Sequence, residues 1–388
     1  MVSASHKKIL IISHDASQTG APILLLNLVK VLKENGYTFH CIIKNGFGSL
    51  INQFSHASES CIIYNKPFKK TFLNKYKSRL DKRTTRKKIK SLLSGVDFVI
   101  SNTITNGDIL PFIKEHCKAP VISYVHELKM ATDYFSKDKY VQQVVQLSDH
   151  FLVPSYSVKC FLQNTYSITD KKISVINSYI PSIKPADIHD KEGFKKENKI
   201  HASFIVGSVG TTDWRKSPDI FIQVAVHAFK MQPEAEIQFI WKGAKKNSLE
   251  YKRLLYDIEK LQLTGKILLL EHSEEVSVFY SSIDLFVLTS REDPYPLVVL
   301  EAAANKVPSV CFSDAGGAAE FIEADAGAVV EYLNIISMAK QLLNYYNDRE
   351  LILKHGSTAF EKVRKLHQDK ELILEQIETA FNSLSPSF

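Results

Sequence analysis

Short apolar runs rich in Ile, Val and Leu alternate with helical spacing along most of the chain. "KKILIIS" ends at Ser13 and is followed by "LLLNLVKVLKENG", whose apolar positions repeat at helical intervals until Gly36. "FHCIIK", "SCIIYN", "DFVISNT", "APVISYVHE" and "HFLVPS" follow, each of strand length and each separated from the next by a polar or helical stretch. This alternation predicts βαβ units, in which a parallel sheet carries helices on both faces. A polar stretch containing Pro and Lys, from Pro181 to Ile200, reads as a linker. The alternation then restarts with "SFIVGSVG", "EIQFIWKG", "KILLLEH", "LFVLTS", "SVCFSD" and "GAVVEY", and the part from about Ile335 to Ser383 reads as helical. The expected class is α/β, with two Rossmann-like doubly wound domains in tandem over 1–182 and 201–365, joined by a linker at 183–200. Open parallel sheets bind ligands beyond the carboxyl ends of their strands, and two such sheets facing each other form a cleft. Residues just after strands are therefore the first functional candidates.

A length of 388 residues favours two or three domains and allows a sizeable core. The five cysteines, Cys41, Cys61, Cys117, Cys160 and Cys311, are scattered, odd in number and without a Cys-x-x-Cys pair. That usage fits a reducing cytoplasm and argues against a disulfide framework or a zinc site. The apolar run near the start is too short for a signal peptide, and no stretch approaches the ~20 apolar residues of a membrane span. The expectation is a soluble or peripheral protein. The net charge of +7 is uneven: residues 66–90 hold twelve Lys or Arg against one Asp. Three readings of this segment compete: a solvated helical face, docking on anionic lipid head groups, and nucleic-acid binding. Phe68, Phe72, Leu73 and Tyr76 among the charges suit the head-group layer. No nucleic-acid motif accompanies the charge.

The most informative stretch is "SREDPYPLVVLEAAA", from Ser290 to Ala304. "LFVLTS" predicts a strand ending near Ser290, and a helix from about Pro296 places Leu297, Leu300 and Ala304 on one apolar face. Glu301 lies just over one turn into that helix and Asp293 just before it, about 12 Å apart along the axis at ~1.5 Å per residue. Between them lies a helix N-terminus with free amides, a natural anion site. Pro296 has no N–H, so Leu297 and Val298 are the expected donors. Carboxylates beside a diphosphate make sense only if they face hydroxyls, which suits Glu301 to a ribose and Asp293 to a sugar. The bland alternative makes Asp293 an N-cap and Glu301 a solvated surface residue.

An acidic residue, seven residues, then Glu in this setting resembles the donor-site motif of family 4-like (group 1) glycosyltransferases, which are retaining enzymes of the GT-B type. The usual first acid is Glu; here it is Asp293, with Glu292 one residue out of register. "GSVGTTDWRKSPDIFIQVA", from Gly207, is similar to the family's loop after the first strand of the second domain. The resemblance puts the diphosphate-binding lysine at Lys216. It also shows two departures: Ser217 stands where Gly is usual, and Thr211 stands where a basic residue is common, with Arg215 as the substitute cation. "SHDASQTGAPILLLNL" resembles the family's glycine loop, with Gly20 and Ala21 near the donor, and lacks the G-x-G-x-x-G of NAD-binding domains. In "VISYVHELK" the resemblance makes His126 face the donor sugar, and Glu127 is either its orienter or exposed. Asn102 in "SNT" is a candidate for the acceptor side. "DAGGAAEFI", with Gly316, Gly317 and Glu320, matches the loop after the next strand. The family's last helix often crosses back to the first domain, here about 366–388.

The implied function is retaining transfer of a sugar from a nucleotide-sugar, UDP slightly favoured over GDP, to a glycan or lipid-linked acceptor in bacterial surface polysaccharide synthesis. His126 and Asp293 are the expected catalytic residues; Gly20, Ala21, Arg215, Lys216, Leu297, Val298 and Glu301 are the expected donor-binding ones. No cofactor and no metal is expected, since cationic side chains do the metal's electrostatic work. The expected location is cytoplasmic, with peripheral contact to anionic membrane through residues 66–90 and no nucleic-acid partner. Two alternatives are a non-catalytic GT-B binding module and a nucleotide-sugar epimerase of the same architecture.

Overall fold

A computed structural model describes residues 7–65, 72–184, 186–271, 273 and 276–384, without the side chains of 72–81. Among these residues, thirteen strands form two parallel sheets. The first sheet contains β1 (Lys8–Ser13), β2 (Thr38–Asn45), β3 (Ser60–Asn65), β4 (Phe98–Asn102), β5 (Val121–Tyr124), β6 (His150–Val153) and β7 (Ile173–Val175), in the order β3-β2-β1-β4-β5-β6-β7. The second contains β8 (Phe204–Val209), β9 (Ile237–Lys242), β10 (Ile267–Leu270), β11 (Leu285–Leu288), β12 (Ser309–Phe312) and β13 (Gly327–Val330), in the order β10-β9-β8-β11-β12-β13.

The central strands are buried at nearly every position, as fits strands covered on both faces. In the second sheet the side chains divide between two cores. Phe239 and Trp241 of β9 pack with the helix Pro218–Met231 on one face. Ile240 of β9 packs with Phe279, Tyr280 and the helix Leu297–Ala304 on the other. That alternation follows from the two-residue period of a strand. In each sheet the connections run in opposite directions from a central pair, β1 and β4 in the first and β8 and β11 in the second. Such a switch point opens a crevice at the carboxyl ends of the strands. At these four strand ends lie the start of the helix Gly20–Glu34 with Gly20 and Ala21, the last residue of β4, Asn102, and the loops that carry Lys216 and Asp293.

The chain divides into two compact units, one holding the chain through Tyr179 together with the stretch from Asp369, the other holding Ile180–Gln368. In the first unit the C-terminal helix Lys370–Asn382 stacks Phe381 on Phe98 at 4.4 Å, and Tyr37 donates to Glu378 at 2.9 Å. The expected linker at 183–200 is instead part of the second unit. It carries a helix, Ile188–Glu197, whose N-cap Asp187 accepts from Asp190 N–H at 2.9 Å. Phe194 of that helix meets Phe279 edge-on, and Ile200 is buried. Its outward face is polar, and that polarity is what reads as a linker in the sequence.

Candidate active site

In the second unit, the loop after β8 carries Lys216 and the loop after β11 carries Asp293, and the two meet. Lys216 Nζ donates to Asp293 Oδ2 at 2.5 Å, with the two side chains 19% and 8% exposed. Ser290 Oγ donates to the same oxygen at 3.2 Å. Of the two adjacent acids, then, it is Asp293 and not Glu292 that reaches the lysine. The backbone of Asp293 is tied as well: its N–H donates to Ala315 O at 2.7 Å, beside Gly316. Gly316 sits at φ +133, and a Cβ there would lie 1.9 Å from Asp293 O, so this close approach requires glycine. The aspartate is an interior ion-pair partner, not an N-cap.

Local hydrogen bonds fix the Lys216 loop. Asp213 Oδ1 accepts from the N–H groups of Arg215 and Lys216, and its Oδ2 accepts from the Thr211 hydroxyl. Thr211 is therefore a turn former here. Arg215 is half-buried, and its Nη1 donates to Glu292 O at 3.3 Å. Ser217 is fully buried at φ +60, ψ 55, the left-handed region where glycine costs least, which explains physically why Gly is usual at this position. Its hydroxyl compensates by donating to Trp214 O at 2.9 Å and accepting from Arg291 Nη1 at 3.1 Å. Arg291 was not singled out in the sequence. It forks onto Asp219 at 2.7 and 3.1 Å and lies over the Trp214 ring at 5.1 Å, pinning the loop that carries Lys216.

The helix Leu297–Ala304 begins directly after Pro296. The N–H groups of Leu297 and Val298 belong to its first turn and have no intrahelical acceptor. Glu301 is not a solvated residue: Tyr280 donates to its Oε2 at 2.7 Å. Burial raises the Glu301 carboxyl above the usual carboxylate range, and the Tyr280 hydroxyl opposes the rise. Tyr280 itself is fully buried, and sequence gave no signal for it, because it lies on a different helix.

The first unit gathers a second polar group at its switch point. Asn102 ends β4 and is fully buried, so it does not line an accessible surface. Its Nδ2 donates to Ala21 O at 3.0 Å, and its Oδ1 lies 2.8 Å from His126 Nε2. Gly20, the first residue of the helix Gly20–Glu34, has open space where a Cβ would stand, so the protein's own packing does not demand glycine there. Burial, and then the nearby His14, lower the His126 pKa to about 3 and keep its ring neutral. Glu127 is buried, and its Oε2 accepts from the N–H groups of His126 and Ile104 at 3.0 and 3.2 Å. Two further residues of this group escaped sequence reading. His14 lies 3.3 Å from Asp15, and Lys44, at the end of β2, pairs with Asp108 at 3.1 Å. Among the described residues, no three His, Cys, Asp or Glu side chains converge as ligands for a cation.

Two family models match the chain: "Glycosyl-transferase family 4" over residues 5–159 and "Glycosyl transferases group 1" over residues 190–362. Together they take in most of its length, and each falls on one of the two units. The chain belongs to the group 1, family 4-like glycosyltransferases. The lipopolysaccharide core biosynthesis mannosyltransferase LpcC of Rhizobium leguminosarum bv. viciae is 26% identical over 161 residues, 41% of this chain and 46% of that protein. The amylovoran biosynthesis glycosyltransferase AmsD of Erwinia amylovora is 26% identical over 219 residues, 51% of this chain and 62% of that protein. The chain thus spans about half the length of the curated relatives it matches. Among solved structures, Anabaena Alr3699/HepE in complex with UDP and glucose superposes with a TM-score of 0.79 at 18% identity, covering 98% of this chain and 100% of that one. The fold of this chain is GT-B.

Proposed function

We propose that this glycosyltransferase moves a sugar from a nucleotide-sugar, UDP-linked in preference to GDP-linked, to a lipid-linked or membrane-borne glycan, with retention and without a metal. The observation that carries the reading is the Lys216–Asp293 pair at the switch point of the second sheet, next to a helix start whose first amides face no intrahelical acceptor. The difficult step is departure of the nucleotide diphosphate as the sugar acquires oxocarbenium character. Lys216, Arg215 and the amides of Leu297 and Val298 stabilise the charge growing on the phosphate. Glu301 accepts from the ribose hydroxyls through the oxygen not held by Tyr280, and Asp293 accepts from hydroxyls of the transferred sugar. In the first unit, the turn at Gly20 and Ala21 is the proposed contact of the diphosphate, and His126 that of the sugar. Burial makes the neutral His126 ring a weak proton acceptor, so the leaving phosphate takes the acceptor proton on the same face.

The UDP preference is supported by the UDP in the HepE complex, and surface polysaccharide synthesis by the names of LpcC and AmsD. Calorimetry with UDP, GDP and their sugars in chelator tests the donor site. Saturable UDP binding that Lys216→Ala weakens roughly tenfold, about 1.4 kcal/mol, is the expected result. No binding to a folded protein would favour the non-catalytic module, and a 2-epimerised nucleotide-sugar, or its hydrolysed sugar, as product would favour the epimerase.

We also propose peripheral attachment to the cytoplasmic face of an anionic membrane through the basic segment. Part of that segment, including Lys69 and Lys70, lies outside the described residues. In the described part of the helix Phe72–Leu92, Thr85 and Ile89 are buried, while Lys82, Arg83, Lys87, Lys88 and Lys90 are exposed. From Lys82 onward the helix therefore turns its cations outward, the arrangement a charged lipid surface requires. No described helix is long and apolar enough to cross a membrane. Sedimentation with phosphatidylglycerol vesicles tests the attachment. Equal recovery of the wild type and a Lys82, Lys87, Lys88 to Glu variant would refute it.

A further inference from the structure

The Asn102 amide is a two-ended clamp, and its orientation can be deduced. A backbone carbonyl only accepts, so the end facing Ala21 O at 3.0 Å must be the NH2. The end facing His126 Nε2 at 2.8 Å is then the carbonyl oxygen, and Nε2 must carry the hydrogen. The other ring nitrogen, Nδ1, is buried and has no hydrogen-bond partner among the described residues. Tyr124 packs against the imidazole with centroids 4.0 Å apart.

The backbone beside the clamp is strained. Thr103 sits at φ 83, ψ 153, a region that a β-branched residue occupies only when its surroundings hold it there. Its N–H donates to Tyr124 O at 2.7 Å, its hydroxyl meets that of Thr105 at 2.8 Å, and the next N–H, of Ile104, is held by Glu127. Strain concentrated between Asn102 and a buried carboxylate fits a group whose aim matters.

We propose that Asn102 is a positioning residue that fixes His126 as the neutral Nε2–H tautomer and ties its ring to the turn at Ala21. The titratable groups around the ring are Tyr124, packed against it from β5, His14 and its partner Asp15 on the loop after β1, Lys44 beyond them on β2, and the neighbouring Glu127. A second ring proton would have to stand on Nδ1, which no acceptor among the described residues meets and where the nearby His14 opposes the added charge. The consequence for rate rests on the glycosyl-transfer reading; the tautomer does not.

The test is nitrogen NMR on the 15N-labelled full chain, with the His126 signals identified by their loss in His126→Gln. The wild type is expected to show a protonated Nε2 and a bare Nδ1, unchanged from about pH 8 to about pH 5. Asn102→Asp keeps the acceptor for His126, loses the donor to Ala21 and adds a charge. It should raise the His126 titration by roughly one pH unit or more and move the acid limb of the transfer rate with it. Asn102→Leu removes both bonds. It should mix the tautomers and lower kcat roughly tenfold with little change in donor KM. A bare Nε2 in the wild type overturns the proposal, as does an unchanged tautomer in Asn102→Leu. If both variants fail to fold, the wild-type tautomer and its pH response still decide. If the chain transfers no sugar, the nitrogen spectra still report on the clamp, so the two failures are separable.

Discussion

Breaking the Lys216–Asp293 pair from either side should have unequal effects on stability and opposite effects on nucleotide binding. Removing one partner of a fully buried ion pair costs about 3–5 kcal/mol, because the other charge is left without compensation. Here the lysine side chain is 19% exposed and the aspartate 8%, and Asp293 keeps the Ser290 hydroxyl. Lys216→Met, which strands the more buried charge, should therefore cost about 2–3 kcal/mol. Asp293→Asn, which leaves a lysine able to reach water, should cost about 1 kcal/mol. The double variant should be less destabilised than the sum by about 1–2 kcal/mol. Both tryptophans, Trp214 and Trp241, lie in the second unit, so the fluorescence change in urea reports on that unit alone. UDP affinity separates the two singles. Lys216→Met should lose roughly tenfold or more, whereas Asp293→Asn, which frees the ammonium, should bind UDP at least as tightly as wild type while transferring little sugar. Additive stabilities, or unchanged UDP affinity in Lys216→Met, would refute the reasoning.

Three more outcomes are expected. Ser217→Ala keeps the left-handed backbone but loses both hydroxyl bonds, whereas Ser217→Gly loses the bonds and relieves the backbone; the glycine variant should be about 1 kcal/mol more stable in urea than the alanine one, and equal stabilities would show that the backbone conformation costs nothing. Tyr280→Phe removes the donor that holds down the Glu301 carboxyl, so the loss of UDP affinity on acidification should begin at higher pH than in wild type, read by calorimetry across pH. His126 ionises at about 3 when folded and near 6.5 when unfolded, so the unfolded chain takes up the proton first. Its contribution to stability is complete above about pH 6.5 and is lost as pH falls toward 3, at about 1.4 kcal/mol per pH unit; urea midpoints at two acidic pH values should show a shallower slope in His126→Gln.

The strands were legible because buried parallel strands are continuous apolar runs, and "DFVISNT" or "LFVLTS" needs no context to be read. β7 was missed because three residues, Ile-Ser-Val, two of them only partly buried, carry too little pattern. The helix Ile188–Glu197 was missed because most of its residues face outward and are polar. At the candidate site, spacing located Lys216, Asp293 and Glu301, since each follows a strand or starts a helix. What spacing does not encode is pairing between distant loops. Lys216 and Asp293 are 77 residues apart, and Tyr280 and Glu301 are 21 apart on different helices. Asn102 was placed on the correct strand end, but its burial depends on Ala21 and His126 arriving from two other loops.

The helix Lys370–Asn382 completes the first unit although it follows the whole of the second in sequence. Chains generally fold domain by domain as they are synthesised, N-terminal part first. Here that order is reversed. The second unit is one continuous stretch and can close as soon as it is made, while Phe98 and Tyr37 wait for Phe381 and Glu378 until the helix Lys370–Asn382 has been made. During synthesis the first unit therefore stands unsealed for the time taken to translate nearly two hundred residues, and the helix Lys370–Asn382 seals it only after the second unit has been made.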